Sequence, residues 1–503
     1  MMFTTRTAGT RSARTGVLAA ALVTLLLAGC GGESAEGSGE GGDGKGGNDG
    51  DASEQPVKPA PVVTPGPTSS PVPEGKGSAL ADDMNGDGYP DLHIQVPEFR
   101  TAYILGSKEG LDPDTRIVTD AGTANSQSPG ETADLDSDGY PETLSIIPDD
   151  TEVKGPDGII RASRTLAYLH WGAAQGPRTE AGPTLLQLPP GHGPLGLSDT
   201  RPAVGDFDGD GNPDVAAVGL GGEELLLMYG PFSRDGAPAR TGTRTVETGG
   251  WGDLITDGID AEAKRPTGLL IRRGDDGEQA GNTLFAAGPG GLPEKGREVR
   301  RGSASAFGDF DGDGTRDVAI GDNGSRNNEP GYETEAPDVD QSLTVYYGGT
   351  SGTSRNTQHI KIPHLAGELV AADTDGDGRS ELAVNQSASE DGTPSGSELL
   401  TVSRSKIEKR VSLTRSVPAR VDGEKVTKSS RVAQLFDAAD FNGDGKEELV
   451  LKWRARASSN GPDDKHEGRW WITNGTQDLV VFSSRPYAGA GDGPQPTTPP
   501  PSS

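Results

Sequence analysis

The chain has 503 residues, 46 Lys and Arg against 76 Asp and Glu, a formal net charge of −30, 31% hydrophobic residues and 76 glycines. Such acidity argues against nucleic acid as a partner, because phosphate binding needs basic surface. With Cys30 as its single cysteine the chain can form no intramolecular disulfide, and so small an apolar supply predicts that something besides a packed core stabilises the fold.

The first element is a targeting segment, residues 1–29, in which Arg6, Arg11 and Arg14 precede the apolar run Val17 to Leu27. That run is shorter than the roughly 20 residues a spanning helix needs. It ends in Leu27-Ala28-Gly29-Cys30, which looks like a bacterial lipobox, so Cys30 is the expected lipidated N-terminus. The expected location is the extracellular face of a bacterial membrane. Residues 30–77 begin Gly/Glu/Asp-rich and end in a proline series from Pro56 to Pro73, predicting a flexible tether.

From Asp83 onward a nine-residue loop, [DN]-x-[DN]-x-D-G-x-x-[DE], recurs six times, each copy running into a short apolar stretch. The expected metal ligands are Asp83, Asn85, Asp87 and Asp91; Asp134, Asp136, Asp138 and Glu142; Asp206, Asp208, Asp210 and Asp214; Asp309, Asp311, Asp313 and Asp317; Asp373, Asp375, Asp377 and Glu381; and Asp440, Asn442, Asp444 and Glu448. Oxygens at positions 1, 3, 5 and 9 with a carbonyl at 7 suit a hard cation taking six to eight ligands, so up to six Ca2+ ions are expected rather than Mg2+. No His or Cys contributes, which argues against zinc. Glycine at position 6 permits the sharp turn. An apolar second residue (Met84, Leu135, Phe207, Phe310, Phe441) is expected to turn inward. A helical calcium hand places its last ligand at 12, not 9, and the sequences that follow, such as Val318-Ala319-Ile320, read as strands.

The gap of 103 residues between the third and fourth loops is nearly two periods, and a degenerate copy fills it. It keeps Asp253, Asp257 and Gly258 but has Ile255 and Ala261 at positions 3 and 9, so a blade at about 248–301 is expected without a complete metal loop. Between successive loops an apolar strand ends in a glycine turn: Tyr103 to Gly106, Tyr168 to Gly172, Leu227 to Gly230, Leu284 to Gly288 and Val345 to Gly348, with weaker copies at Leu399 to Ser403 and Trp470 to Gly475. Seven strand elements match seven loop positions, and such a period marks propeller blades or a repeat array.

Segments such as Ala306-Phe307-Gly308-Asp309-Phe310-Asp311-Gly312-Asp313-Gly314 resemble FG-GAP (VCBS-type) repeats, the blades of the integrin-alpha N-terminal propeller. The resemblance covers about residues 78–486. It implies an all-β fold, a seven-bladed propeller of four-stranded blades, with the cation loop joining the first and second strands of a blade. Residues 487–503 are the expected disordered tail.

The six loops hold 22 acids at ligand positions, so six divalent ions would bring the net charge to −18 and relieve much self-repulsion. Between Arg404 and Arg431 nine basic residues meet three acids, a stretch expected to be a solvated face rather than an anion site. The six histidines, His93, His170, His192, His359, His364 and His466, share no motif, and no nucleophile elbow, H-E-x-x-H or P-loop occurs. The expectation is a monomeric, non-catalytic adhesion propeller binding a surface protein or glycan, with the loop from Gly321 to Asp340 as a candidate recognition insert. The alternatives are a carbohydrate lyase or hydrolase, which requires an acidic cluster with perturbed pKa values in the central funnel, and a purely structural envelope lipoprotein.

Overall fold

The computed structural model describes residues 57–489 apart from 97–99, 120–129, 155–159, 179–181, 193–196, 198–199, 221, 249–251, 261–264, 275–277, 328, 332–333, 350–356, 388–394, 405, 422–423 and 455–467. The expected signal segment and Cys30 lie outside the described residues.

Seven antiparallel meanders follow one another as the blades of a β-propeller. Blade 3 shows the pattern: Ala203–Gly205, Asp214–Val218, Glu224–Tyr229 and Arg240–Thr245 pair in sequence order. Blade 2 runs from Glu131–Ala133 to Thr184–Leu185, blade 4 from Asp253–Thr256 to Arg297–Val299, and blade 5 from Ala304–Gly308 to Thr357–Lys361. Blade 6 runs from Leu365–Ala372 to Lys406–Ser412, and blade 7 from Gln434–Ala439 to Asp478–Ser483. Blade 1 keeps three strands, Leu92–Val96, Arg100–Ile104 and Arg116–Thr119. In place of its innermost strand a turn holds on through Asp91 N–H donating to the Asp82 carbonyl at 3.0 Å.

The second strand of a blade is packed on both faces, so it is apolar throughout rather than alternating: Val215, Ala216, Ala217 and Val218 are all fully buried. Among the described residues six apolar clusters each straddle the seam between neighbouring blades, as when Phe207, Leu227 and Tyr229 of blade 3 meet Leu269, Ile271 and Phe285 of blade 4. Between blades 1 and 2 the Tyr103 and Thr143 hydroxyls share a buried hydrogen bond of 3.0 Å. The modest apolar content is concentrated on second and third strands that face two neighbours. Truncating one such side chain costs about 2–5 kcal/mol.

The ring closes where blade 7 meets blade 1, with Phe441, Trp470 and Phe482 packed on Leu92, Ile94 and Ile104. Two expected boundaries fall elsewhere. Within the segment read as tether, Val62–Val63 form a strand parallel to Val481 and Phe482, a fifth strand on blade 7. The chain then crosses the seam: Gly66 N–H donates to Asp114 Oδ1 at 2.7 Å, Arg116 Nη2 to the Gly66 carbonyl at 2.7 Å, and Gly75 N–H to the Asn85 carbonyl at 3.1 Å. A Cβ on Gly75 would lie 2.0 Å from the Gly86 carbonyl carbon, so only glycine fits. Proline makes this chain extended, and extended chain with β-branched residues can cover a sheet edge instead of floating free. At the other end Tyr487, the first residue of the expected tail, is fully buried and its hydroxyl donates to the Pro113 carbonyl of blade 1 at 2.9 Å. Residues 490–503 lie outside the described residues.

Candidate metal centres

Each acidic loop joins the first and second strands of its blade, with the blade 1 loop preceding Leu92–Val96. The loop is shaped by its own carboxylates. In blade 3, Asp206 accepts the N–H groups of Gly209 (2.7 Å), Asp210 (3.1 Å) and Gly211 (2.9 Å), and Asp210 accepts that of Asn212 at 2.8 Å. The same bonds recur around Asp309 and Asp373. The sixth-position glycine has positive φ, as expected, and so does the fourth position in every loop: Gly86, Gly209, Gly312, Gly376, Gly443 and, with φ 60°, Ser137. The second-position side chains Met84, Leu135, Phe207, Phe310 and Phe441 are all buried, which anchors the loop to the seam beneath it.

The ninth residue has a role that sequence reasoning did not assign. One of its oxygens accepts the N–H of the second loop residue: Met84 to Asp91 at 2.8 Å, Leu135 to Glu142 at 2.7 Å, Phe207 to Asp214 at 2.7 Å, Phe310 to Asp317 at 2.9 Å, Thr374 to Glu381 at 3.2 Å and Phe441 to Glu448 at 3.0 Å. In blades 1, 2, 3 and 5 the other oxygen accepts the N–H of the glycine that ends the third strand, Gly106, Gly172, Gly230 or Gly348, at 2.6–3.0 Å. The two repeated sequence motifs are thus halves of one contact. Burial raises these carboxyls, to about 8 for Glu142 and Asp214 and about 7 for Asp317 and Glu448, with Asp91 and Glu381 raised too; the N–H donors oppose the shift.

Four loops bring three acids together. One oxygen from each of Asp134, Asp136 and Glu142, of Asp206, Asp208 and Asp210, of Asp309, Asp311 and Asp317, and of Asp373, Asp375 and Glu381 lies within 4.8 Å of the others. Ligands about 2.4 Å from a common ion lie no more than about 4.8 Å apart, so these triads could hold a metal. Asp214 stands outside its triad, as do the fifth-position Asp138, Asp313 and Asp377. In the remaining two loops, Asp83, Asp87 and Asp91, and Asp440, Asp444 and Glu448, form no such trio among the described residues. There the third-position amide partly does a cation's work: Asn85 Nδ2 donates to Asp87 at 2.9 Å and Asn442 Nδ2 to Glu448 at 2.9 Å.

A second feature marks the third position. Asn85 Oδ1, Asp136 Oδ1 and Asp311 Oδ1 are buried without a hydrogen-bond partner. An unpaired buried acceptor is costly, and in the other three loops the corresponding oxygen of Asp208, Asp375 or Asn442 accepts the fifth-position N–H. In blade 4 the degenerate copy is not a loop of this shape, since Asp253 and Ile255 lie in the first strand, Asp253–Thr256; in the connection that follows, Arg265 Nη1 lies 2.9 Å from Asp257 Oδ2 and Nε 3.4 Å from Asp260. Ala261 lies outside the described residues.

Arg326 pairs with Asp322 at 2.8 Å and Asp340 at 2.6 Å, pinning the base of the 321–340 loop. In the basic stretch Arg404, Lys406, Lys409, Arg420, Lys425 and Lys428 are exposed, as expected, whereas Arg410 pairs with Glu398 and Arg415 is buried against Asp478 at 2.8 Å. On or beside innermost strands, Asp82, Glu131, Glu368 and Asp437 have raised pKa values, chiefly from the protein crowded around them, with Asp437 at about 6. Glu131, Glu368 and Asp437 nevertheless keep solvent-exposed surface, which moderates that push.

No family model matches the sequence, and no curated protein matches it. Among solved structures, the chain is similar to an arginine-to-alanine mutant of AofleA from Arthrobotrys oligospora, at 11% identity and TM-score 0.29 over 72% of this chain and 93% of that one. It is also similar to the V. cholerae biofilm matrix protein Bap1, at 14% identity and TM-score 0.25 over 85% of this chain and 83% of that one. Likeness this distant adds nothing to what the blades themselves show.

Proposed function

We propose that this protein is a calcium-stabilised propeller of the FG-GAP/VCBS type that binds a surface protein or glycan without catalysis. In this reading it is held at the extracellular face of a bacterial membrane through lipid on Cys30. The observation that supports calcium is the pair of buried, unpartnered third-position oxygens of Asp136 and Asp311 inside loops whose acids converge. The ligands are those of all six loops, up to six ions. The acids of positions 1 and 3 converge in blades 2, 3, 5 and 6, joined by position 9 in blades 2, 5 and 6 and by position 5 in blade 3. The ions brace the loops, and the loops hold second strands to third, so calcium fixes the surface that a ligand meets. A glycan and cell-wall array, probed with and without chelator, tests binding: calcium-dependent retention supports the reading, and glycan turnover or an empty array opposes it. The second reading, an enzyme acting on carbohydrate, is favoured by the carboxyls of Asp82, Glu131, Glu368 and Asp437 near the ring axis.

A further inference from the structure

Three arginines repeat one arrangement. Arg234, Arg240 and Arg404 lie over the rings of Trp171, Tyr229 and Tyr347, with Cζ 4.6, 3.4 and 5.4 Å from the ring centroids. Each ring residue directly precedes a glycine, Gly172, Gly230 or Gly348, held by a ninth-position carboxylate, so the ring stands in a fixed relation to the loop. From that perch each guanidinium reaches the loop acids. Arg234 Nε meets Asp136 Oδ2 and its Nη2 meets Asp138 Oδ2, both at 2.6 Å. Arg404 Nε pairs with Asp311 Oδ2, and its Nη2 lies 3.0 Å from Asp313 Oδ2. Arg240 Nη2 pairs with Asp208 Oδ2. Arg234 and Arg404 belong to the blade after the loop they cap, and Arg240 to the same blade.

In the first two cases the guanidinium engages Oδ2 of the third-position acid while Oδ1 stays buried and unpaired. The side chains of Asp136 and Asp311 are 9% and 7% exposed, so that free oxygen faces the protein side. Ion and arginine therefore have separate oxygens on one carboxylate and can be held together. The caps also follow charge. They sit on three of the loops with four acids, and among the described residues no arginine pairs with either loop that has Asn at position 3. The remaining four-acid loop carries Arg379 within its own sequence and has Lys446 beside Gly376.

We propose that Arg234, Arg240 and Arg404 set the cation affinity of their loops, each guanidinium offsetting the extra carboxylate and holding affinity down toward that of the Asn-containing loops. This rests on the reading that the loops hold calcium. Two effects compete. A donor behind a metal ligand orients its carboxylate and strengthens binding, but these arginines are 43–54% exposed, where an ion pair holds geometry weakly. A positive charge about 6 Å from a divalent ion weakens binding about tenfold even at the dielectric of water, so the repulsion prevails.

The test titrates the full-length protein and its R234Q, R240Q and R404Q variants with calcium by calorimetry. Terbium luminescence sensitised by Trp171, Tyr229 and Tyr347 provides a local readout. Each Gln variant is expected to tighten one site about tenfold at low ionic strength, a gain that shrinks with added salt. The corresponding Lys variants, which keep the charge, retain wild-type affinity and control for lost packing. Wild-type protein that binds calcium while the Gln variants bind equally or more weakly overturns the proposal. Wild-type protein that takes up neither ion sinks the calcium reading itself, a different result.

Discussion

Asp214 Oδ1 accepts the backbone N–H of Gly230 at 2.9 Å, tying the acidic loop of blade 3 to the turn that ends its third strand. Its Oδ2 holds Phe207 N–H at 2.7 Å, so one buried carboxylate fixes both ends of the loop's support. Asp214→Ala leaves two buried amides unpaired, a loss of about 2–4 kcal/mol whether or not calcium is present. Asp210→Ala, at an exposed loop position, should cost less than about 1 kcal/mol in metal-free protein and considerably more in calcium. Urea unfolding of both variants, with and without calcium, checks the contrast; equal calcium dependence would remove the structural role assigned to Asp214.

Ser137 is the one fourth-position residue that is not glycine, and it sits at φ 60°. Ser137→Gly relieves left-handed strain but adds entropy to the unfolded chain, for a net gain of about 0.5–1 kcal/mol. Thermal unfolding of metal-free protein should show a small rise in Tm. A drop would mean that Ser137, whose hydroxyl lies 3.1 Å from Asn212 Oδ1, contributes more by that contact than its backbone costs.

The raised carboxyls dictate an unusual pH response in the metal-free protein. Glu142 and Asp214 at about 8, and Asp317 and Glu448 at about 7, bind protons more tightly folded than unfolded. Their contribution to stability is therefore full below the ordinary carboxyl range near 4 and is lost as pH rises through 7–8. Metal-stripped protein should melt at a higher temperature at pH 5 than at pH 8. Calcium needs the ionised forms, so its stabilising increment should grow over the same interval. Melting curves at pH 5, 6, 7 and 8 decide it, and a calcium increment that shrinks with rising pH would contradict the assignment.

Arg415 and Asp478 form a buried pair, with Arg415 Nη2 also 3.3 Å from Thr473 Oγ1 and Asp478 N–H bonded to the Lys58 carbonyl. Arg415→Leu strands the Asp478 carboxylate and should cost about 3–5 kcal/mol. Exposed Lys406→Leu in the same basic stretch should stay within about 0.5 kcal/mol. Denaturant midpoints of the two variants provide the comparison.

The blades were legible because their period is carried by local chemistry. Position 1 must accept N–H groups within five residues, glycine must follow the fifth-position acid, and the second strand must be apolar on both faces. The buried second-position residues and the degenerate blade were readable for the same reason. What escaped was non-local. Nothing around Val62 announces a partner at Val481, and the proline run that reads as tether is equally suited to lying along an edge. The basic stretch is solvated along most of its length, as its composition suggests, but composition cannot show that Arg415 meets an acid 63 residues away. The fourth-position conformation was available in the run of glycines there, but Ser137 masked the rule.

Loops that grip divalent ions should govern the stability of the whole ring, and differential scanning calorimetry of the purified protein tests this directly. Stripped of metal and then supplied with calcium at pH 7.5, the protein should gain about 10 °C or more in Tm, on the order of several kcal/mol of linked binding. Superimposable scans with and without calcium, together with no heat of calcium uptake, would contradict it.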